Sequence, residues 1–157
     1  MRGTVTFLKV NIFIMGIIIL ALCLFWLPGL AKDSAEMNPE FAHLRLPVLV
    51  GLYFTAIPFF LAMYQAFKLL IFIESEIAFS ELAVITLGHI KNCAITIIIL
   101  YLIGIFLLLS QNALHPGIAI IGFVIIFTTL VISLFTAVLQ QLLTSALKLI
   151  TENELTV

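Results

Sequence analysis

From Pro116 to Leu147 the chain carries no Asp, Glu, Lys, Arg or His across thirty-two residues. A hydrocarbon core of about 30 Å is crossed by about 20 helical residues. The stretch is therefore long enough to span a bilayer and leave roughly ten residues over. The surplus begins near Gln140 and Gln141 and runs into Lys148, so this helix is expected to leave the lipid and carry the C-terminus into water. No soluble fold accommodates such a segment easily, and the rest of the chain has to be read around it.

The composition agrees. Hydrophobic residues are 64% of the 157 and charged residues 10%, against about 45–50% and about 25% in soluble domains. The seven basic and eight acidic residues fall in short patches, and the gaps between them are the spans. A net charge of −1 gives no global field that would argue for direct nucleic-acid binding. Cys23 and Cys93 lie in or beside apolar segments without CxxC spacing, so they read as buried thiols rather than a zinc or redox pair.

The expected architecture is a single all-α membrane domain over residues 1–157. It is an antiparallel four-helix bundle in which helices two, three and four extend into the cytoplasm. The first span covers about 10–30. Basic Arg2 and Lys9 precede it, as in a signal peptide, but the run from Asn11 to Ala31 is too long for an h-region of about 7–15 residues. Trp26 fits an interfacial aromatic belt. A polar connection, Lys32 to Arg45, follows. In it Asp33, Glu36, Glu40 and His43 recur at helical spacing near Asn38-Pro39. One histidine without a second is a weak metal signal, and a solvated loop is the better reading.

The second span covers about 46–67. Pro58 in its middle should kink it. Gly51 with Thr55, and Pro58, Ala62 and Ala66, form small stripes suited to close helix packing, with Tyr53, Tyr64 and Gln65 as polar handles. Residues 68–91 mix apolar positions with Glu74, Glu76, Glu81, His89 and Lys91, and read as a helical hairpin on the cytoplasmic side turning near Ser75–Ser80, which stands off the membrane or lies in the interface as an amphipathic element. Ser80 is the expected N-cap, with Glu81 in the first turn. The third span covers about 92–114, with Gly104 as a close-approach point and Tyr101 needing a partner at depth. A short uncharged turn through Ser110, Gln111 and His115 to Gly117 makes the third and fourth helices neighbours.

The fourth span covers about 117–147, with an extension to about 151. Gly122, Thr129, Ser133 and Ala137 form its small stripe. No charged residue lies at membrane depth in any span, which disfavours proton relays and ion-coupled carriers. Ser110 and His115 lack an orienting group and an oxyanion loop, so catalysis is disfavoured, and no motif calls for a cofactor. Beyond the exit, Leu142, Leu143, Ala146, Leu147 and Ile150 are expected to pack on the helix that starts at Ser80. Glu152, Asn153 and Glu154 break the pattern, and Leu155-Thr156-Val157 is a strand-prone triplet open to strand addition.

Basic residues assign the orientation. Arg2, Lys9, Lys68, Lys91 and Lys148 fall on one side, Lys32 and Arg45 on the other. The positive-inside rule then makes both termini cytoplasmic, in a multi-pass protein of the plasma membrane.

The AFSEL stretch at Ala78–Leu82, HIKNCAI at His89–Ile95 and the terminal ENELTV at Glu152–Val157, together with the span lengths, resemble the YoaS-like family of small bacterial four-helix membrane proteins. The resemblance implies a protein that holds or signals to a cytoplasmic helix-turn-helix regulator, because members are often encoded beside one. It carries over Phe79, Ser80, Glu81, Asn153, Glu154, Leu155 and Thr156 as partner-contacting positions, to which the tail stripe adds Leu147 and Ile150. Three functions fit. The first is a regulatory module that binds such a partner. The second is a self-protection protein whose acidic loop (Asp33, Glu36, Glu40) attracts membrane-active cationic peptides. The third is a small permease or permease subunit, suggested by Pro58 and Tyr101. The small stripes serve packing within one chain or between copies in a homo-oligomer.

Overall fold

The computed structural model describes residues 2–37, 39–112 and 116–156, and among these every regular element is a helix. Helix α1 is Arg2–Ala21, followed by a π-helical turn Leu22–Trp26 and α2, Leu27–Met37. A 3-10 helix Pro39–Leu44 leads into α3, Arg45–Glu74. Then come α4, Glu81–Ser110, and α5, Pro116–Thr156. Four stretches are long and apolar enough to cross a membrane: Gly3–Asp33, Leu46–Glu74, Glu81–Ser110 and Pro116–Leu155. Helices are what such a sequence must form, because in hydrocarbon every backbone N–H and C=O has to be satisfied within its own segment.

The helix ends follow local chemistry. Pro116 opens α5, where its missing N–H costs nothing. Ser80 caps α4: its Oγ accepts from the Ala83 N–H at 3.3 Å and donates to the Ile77 carbonyl at 2.6 Å, with Glu81 in the first turn. Helix α3 ends in a Schellman motif. The Ile77 N–H donates to the Phe72 carbonyl at 2.9 Å and the Glu76 N–H to the Ile73 carbonyl at 3.2 Å. The left-handed position that such a motif needs is held by Glu76, at φ 63°, where glycine would fit without strain. Asn112, at φ 54°, ends α4 in the same conformation, which asparagine tolerates better.

Packing follows chain order: α1 lies on α3, α3 on α4, and α4 on α5, with α2 against α3. Helices α4 and α5 each turn a heptad-spaced stripe inward. On α4, Ala83, Leu87, Ile90, Ala94, Ile97, Tyr101, Gly104 and Leu108 are all half-buried or buried. On α5 the same holds for Gly122, Ile126, Thr129, Ser133, Thr136, Gln140, Leu143 and Leu147. Alternating steps of three and four residues are the period at which two helices stay in contact over many turns. Two glycines set the closest approaches. A Cβ on Gly122 would lie 2.9 Å from Ile105 Cδ1, and one on Gly88 would lie 2.9 Å from Gln140 Nε2. Advancing along α5 from 122 to 140 therefore retreats along α4 from 105 to 88. Glycines Gly51 and Gly104 were expected to mark close approaches, but a Cβ on either meets nothing within 4 Å. Gly51 is exposed.

The first helix carries a local departure. Through the π turn the Leu27 N–H donates to the Leu22 carbonyl, five residues back. Cys23 loses that donor, and the residue five ahead of it is Pro28, which has no N–H to give. Its freed carbonyl accepts the Tyr53 hydroxyl of α3 at 2.6 Å. One proline thus explains the wide turn and the cross-helix hydrogen bond together. Cys23 and Cys93 are both unpaired thiols, half-buried.

Two expected irregular stretches are helical instead. The Lys32–Arg45 connection continues as α2 to Met37 and then as the 3-10 helix, with Asn38 outside the described residues. Asp33, Glu36, Glu40 and His43 are all exposed. The tail does not break at Glu152: α5 runs on to Thr156, so Leu155 belongs to a helix rather than a strand-like end. Extending an existing helix adds a hydrogen bond per residue, which outweighs the weak strand preference of a terminal triplet. His115 and Val157 lie outside the described residues.

Two outcomes test this packing in detergent-solubilised protein by thermal unfolding. Gly88→Leu and Gly122→Leu should each destabilise by about 1–3 kcal/mol through overpacking, while Gly51→Leu stays within about 0.5 kcal/mol of the parent. Tyr53→Phe should cost about 1 kcal/mol, the typical net worth of one hydrogen bond between membrane helices.

Candidate interaction surface at the hairpin end

One end of the molecule gathers the start of α1, the end of α3, the start of α4 and the end of α5. The Lys9 ammonium of α1 pairs with the Glu74 carboxylate of α3 and lies 5.7 Å from the centre of the Phe67 ring. On α3, Lys68 stands 5.9 Å from the Phe72 ring centre. Between α4 and α5, Lys91 donates to Gln140 Oε1 at 3.2 Å, and Gln140 Nε2 donates to the Val84 carbonyl at 3.2 Å. Gly88 leaves the space that this amide occupies. Nearby, Thr86 and Thr136 are buried and bond back to Leu82 and Ile132 in their own helices. Gln65 Oε1 is buried and has no hydrogen-bond partner among the described residues.

These polar groups form a belt, and the outward faces of the helices change character across it. On α4 the exposed residues include first apolar Phe106, Ile103 and Ile99, then polar Thr96, Asn92 and His89 with Ile95 among them. They turn apolar again at Ile85 (53% exposed), Leu82 (54%) and, in the turn, Phe79 (64%). On α3, exposed Phe54, Ile57 and Leu61 give way to Tyr64 and Lys68 and then to Ile71. On α5, Val131, Leu134 and Val138 are followed by Gln141, Ser145 and Lys148, flanked by Leu142 and Leu149, and then by Leu155 (81%). The first apolar band has the composition of a hydrocarbon-facing surface, and the belt that of a headgroup-facing one. The apolar residues past the belt form a cap that the chain itself leaves exposed.

The positions singled out from sequence fall as follows. Phe79, Glu81, Ile150, Asn153, Glu154 and Leu155 are exposed on this end, Ser80 is the half-buried cap, and Leu147 is half-buried. Thr156 is the last helical residue. Of the five expected tail contacts, Leu143, Ala146 and Leu147 turn inward, whereas Leu142 and Ile150 are exposed. The inward stripe keeps the period set upstream at Gln140 and Leu143, which places Leu142 on the opposite side. Of the packing residues, Pro58, Gly122 and Ser133 are buried, and Ala62, Ala66, Gly104, Thr129 and Ala137 half-buried.

Sequence reasoning took Gln140 as a mark of lipid exit and missed its insertion beside Gly88. The signal was there: Gly88 and Gln140 are equidistant from position 114, inside the short turn. Among the described residues no three of His, Cys, Asp or Glu converge to hold a metal. A depression lined by Gln140, Gln141, Thr144 and Ser145 is shallow and open.

The belt makes a direct prediction. In cysteine-free protein reconstituted in lipid, Ile85→Cys should react with a membrane-impermeant maleimide, and Ile99→Cys should stay protected until detergent is added. Protection of both would move the cap into hydrocarbon.

Comparison with known proteins agrees with the resemblance seen in the sequence. The family described as "Protein of unknown function (DUF2975)" matches residues 29–157. The chain is 49% identical over 158 residues to the "Uncharacterized membrane protein YoaS" of Bacillus subtilis (strain 168), covering 99% of each chain. No solved structure matches. With a family match over most of its length and a near-full-length relative at this identity, the chain belongs to the DUF2975 family of membrane proteins.

Proposed function

We propose that the chain is a non-enzymatic regulatory protein of the plasma membrane that binds a soluble cytoplasmic protein through the apolar cap. In this reading the four spans form an antiparallel bundle. The hairpin of α3 and α4 and the end of α5 stand in the cytoplasm with both termini. The Lys9–Glu74 pair and the opposed progress of α4 and α5 support the antiparallel order. The excess of Lys and Arg at the hairpin end supports the orientation. The observation that carries the function is the return of exposed apolar side chains, Phe79, Leu82 and Ile85, beyond the polar belt. An apolar patch standing clear of both lipid and core is the mark of an interaction surface. The resemblance that names a helix-turn-helix regulator as partner supplies its identity.

The test is recovery of partners from gently solubilised native membranes. It compares the full chain, a chain ending at Leu147, and the double variant Phe79→Ser/Leu82→Ser. Truncation there leaves the α4–α5 stripe whole, because that stripe ends at Leu147. A soluble DNA-binding protein should accompany the full chain and be lost from both variants. Equal recovery by all three would remove the cap from partner binding, and membrane subunits alone would shift the function into the bilayer.

A further inference from the structure

We propose that the flank of α5 at belt level binds the phosphate of an anionic phospholipid. The site is the shallow depression lined by Gln140, Gln141, Thr144 and Ser145. Lys91 of α4 reaches Gln140 Oε1 at 3.2 Å, which puts an ammonium beside one wall. Lys148 is exposed one turn further along α5, at the spacing from Thr144 and Ser145 that makes neighbours on a helix surface. Neither lysine pairs with a carboxylate among the described residues. No Asp or Glu lies between Leu82 and Ser110 on α4, or between Pro116 and Thr151 on α5. The acids nearest the site on these two helices are Glu81, in the first turn of α4, and Glu152, on the far side of Lys148. Glu74 of α3 is engaged by Lys9.

The donors give the ligand its class. The Gln140 amide is engaged by Lys91 and Val84, and the Thr144 hydroxyl donates to the Gln140 carbonyl at 2.8 Å. The Gln141 amide and the Ser145 hydroxyl have no partner among the described residues, and Lys91 uses one of its three N–H bonds. Free donors beside positive charge suit the oxygens of a phosphate. Depth and the neighbouring surface supply the rest. From Ser110 to Lys91 the helix α4 runs about 30 Å, the thickness of a hydrocarbon core, so the depression stands at headgroup level. Away from it along α5, Val138, Leu134 and Val131 are exposed at three- and four-residue steps, an apolar track for an acyl chain. A phospholipid carries both parts in one molecule. A zwitterionic headgroup would set its own cation against Lys91 and Lys148, so the favoured headgroup is one of net negative charge.

The test is native mass spectrometry of the full chain in neutral detergent, titrated with phosphatidylglycerol or with phosphatidylcholine of the same acyl chains. The first phosphatidylglycerol should bind about tenfold more tightly than the first phosphatidylcholine. Gln141→Leu/Ser145→Ala, at exposed positions outside the α4–α5 stripe, should remove most of that advantage, and Lys91→Gln/Lys148→Gln all of it. Lys68→Gln, which removes a belt cation from α3, should leave it in place. Equal binding of the two lipids would overturn the proposal. So would an advantage that survives Gln141→Leu/Ser145→Ala, or one that Lys68→Gln lowers as far as the α5 variants do, since diffuse surface charge then accounts for it. Inorganic phosphate in millimolar excess should not displace the bound lipid. Displacement would make the ligand a free phosphate and overturn the lipid assignment. The cap contains none of these residues, so the docking reading is judged separately, by recovery from native membranes.

Discussion

The register of the bundle hangs on one amide. Gln140 reaches from α5 into a space that exists only because position 88 is glycine, and there it holds both the Val84 carbonyl and the Lys91 ammonium. Lipid tails are as apolar as leucine, so leucine stripes alone let two helices slide past one another. A side chain with two directional bonds does not slide. Once Gln140 is seated, the alternating stripe of α5 is committed to its match on α4, and Gly122 falls against Ile105 about five turns away. The same contact brings Lys91 toward the protein and leaves His89 and Asn92 outward. The belt, and therefore the cap beyond it, is placed by this contact.

A second constraint acts at the far side. Hydrocarbon leaves a freed backbone carbonyl nowhere to turn but to another side chain. Pro28 frees one at Cys23, and Tyr53 takes it. The two departures from regular structure are thus coupled to tertiary contacts of opposite ends, one by a glycine that admits a side chain and one by a proline that releases a carbonyl. Between them, ordinary small and branched residues fill the stripes.

How much of this was legible depended on the range of the cause. The spans could be read because hydrocarbon imposes length and composition locally. Ser80 as a cap was equally legible, since its bonds reach only three residues. The helical run through Glu152 was misread because a weak terminal preference was weighed without the long helix behind it. Leu142 and Ile150 were misassigned because a stripe read from apolarity alone does not know which phase its neighbour imposes. Gly88 with Gln140, and Pro28 with Tyr53, required a register between segments far apart in sequence. Glu76 was hidden for another reason: the motif that ends α3 is usually announced by glycine. The residues of the proposed interaction surface are named from sequence alone. The polar belt beside them was not legible there, because it is assembled from four helices.

Helix α5 runs unbroken from Pro116 to Thr156, forty-one residues or about 60 Å. Only about half of that length is needed to cross hydrocarbon. In the proposed placement such a rod is a lever with its fulcrum in the membrane. Helices adjust to bilayer thickness chiefly by tilting. Each two degrees of tilt swings the end of an arm about 30 Å long by about 1 Å. The Glu154–Leu155 end is thus mechanically geared to the thickness of the bilayer that holds the other half of the same helix.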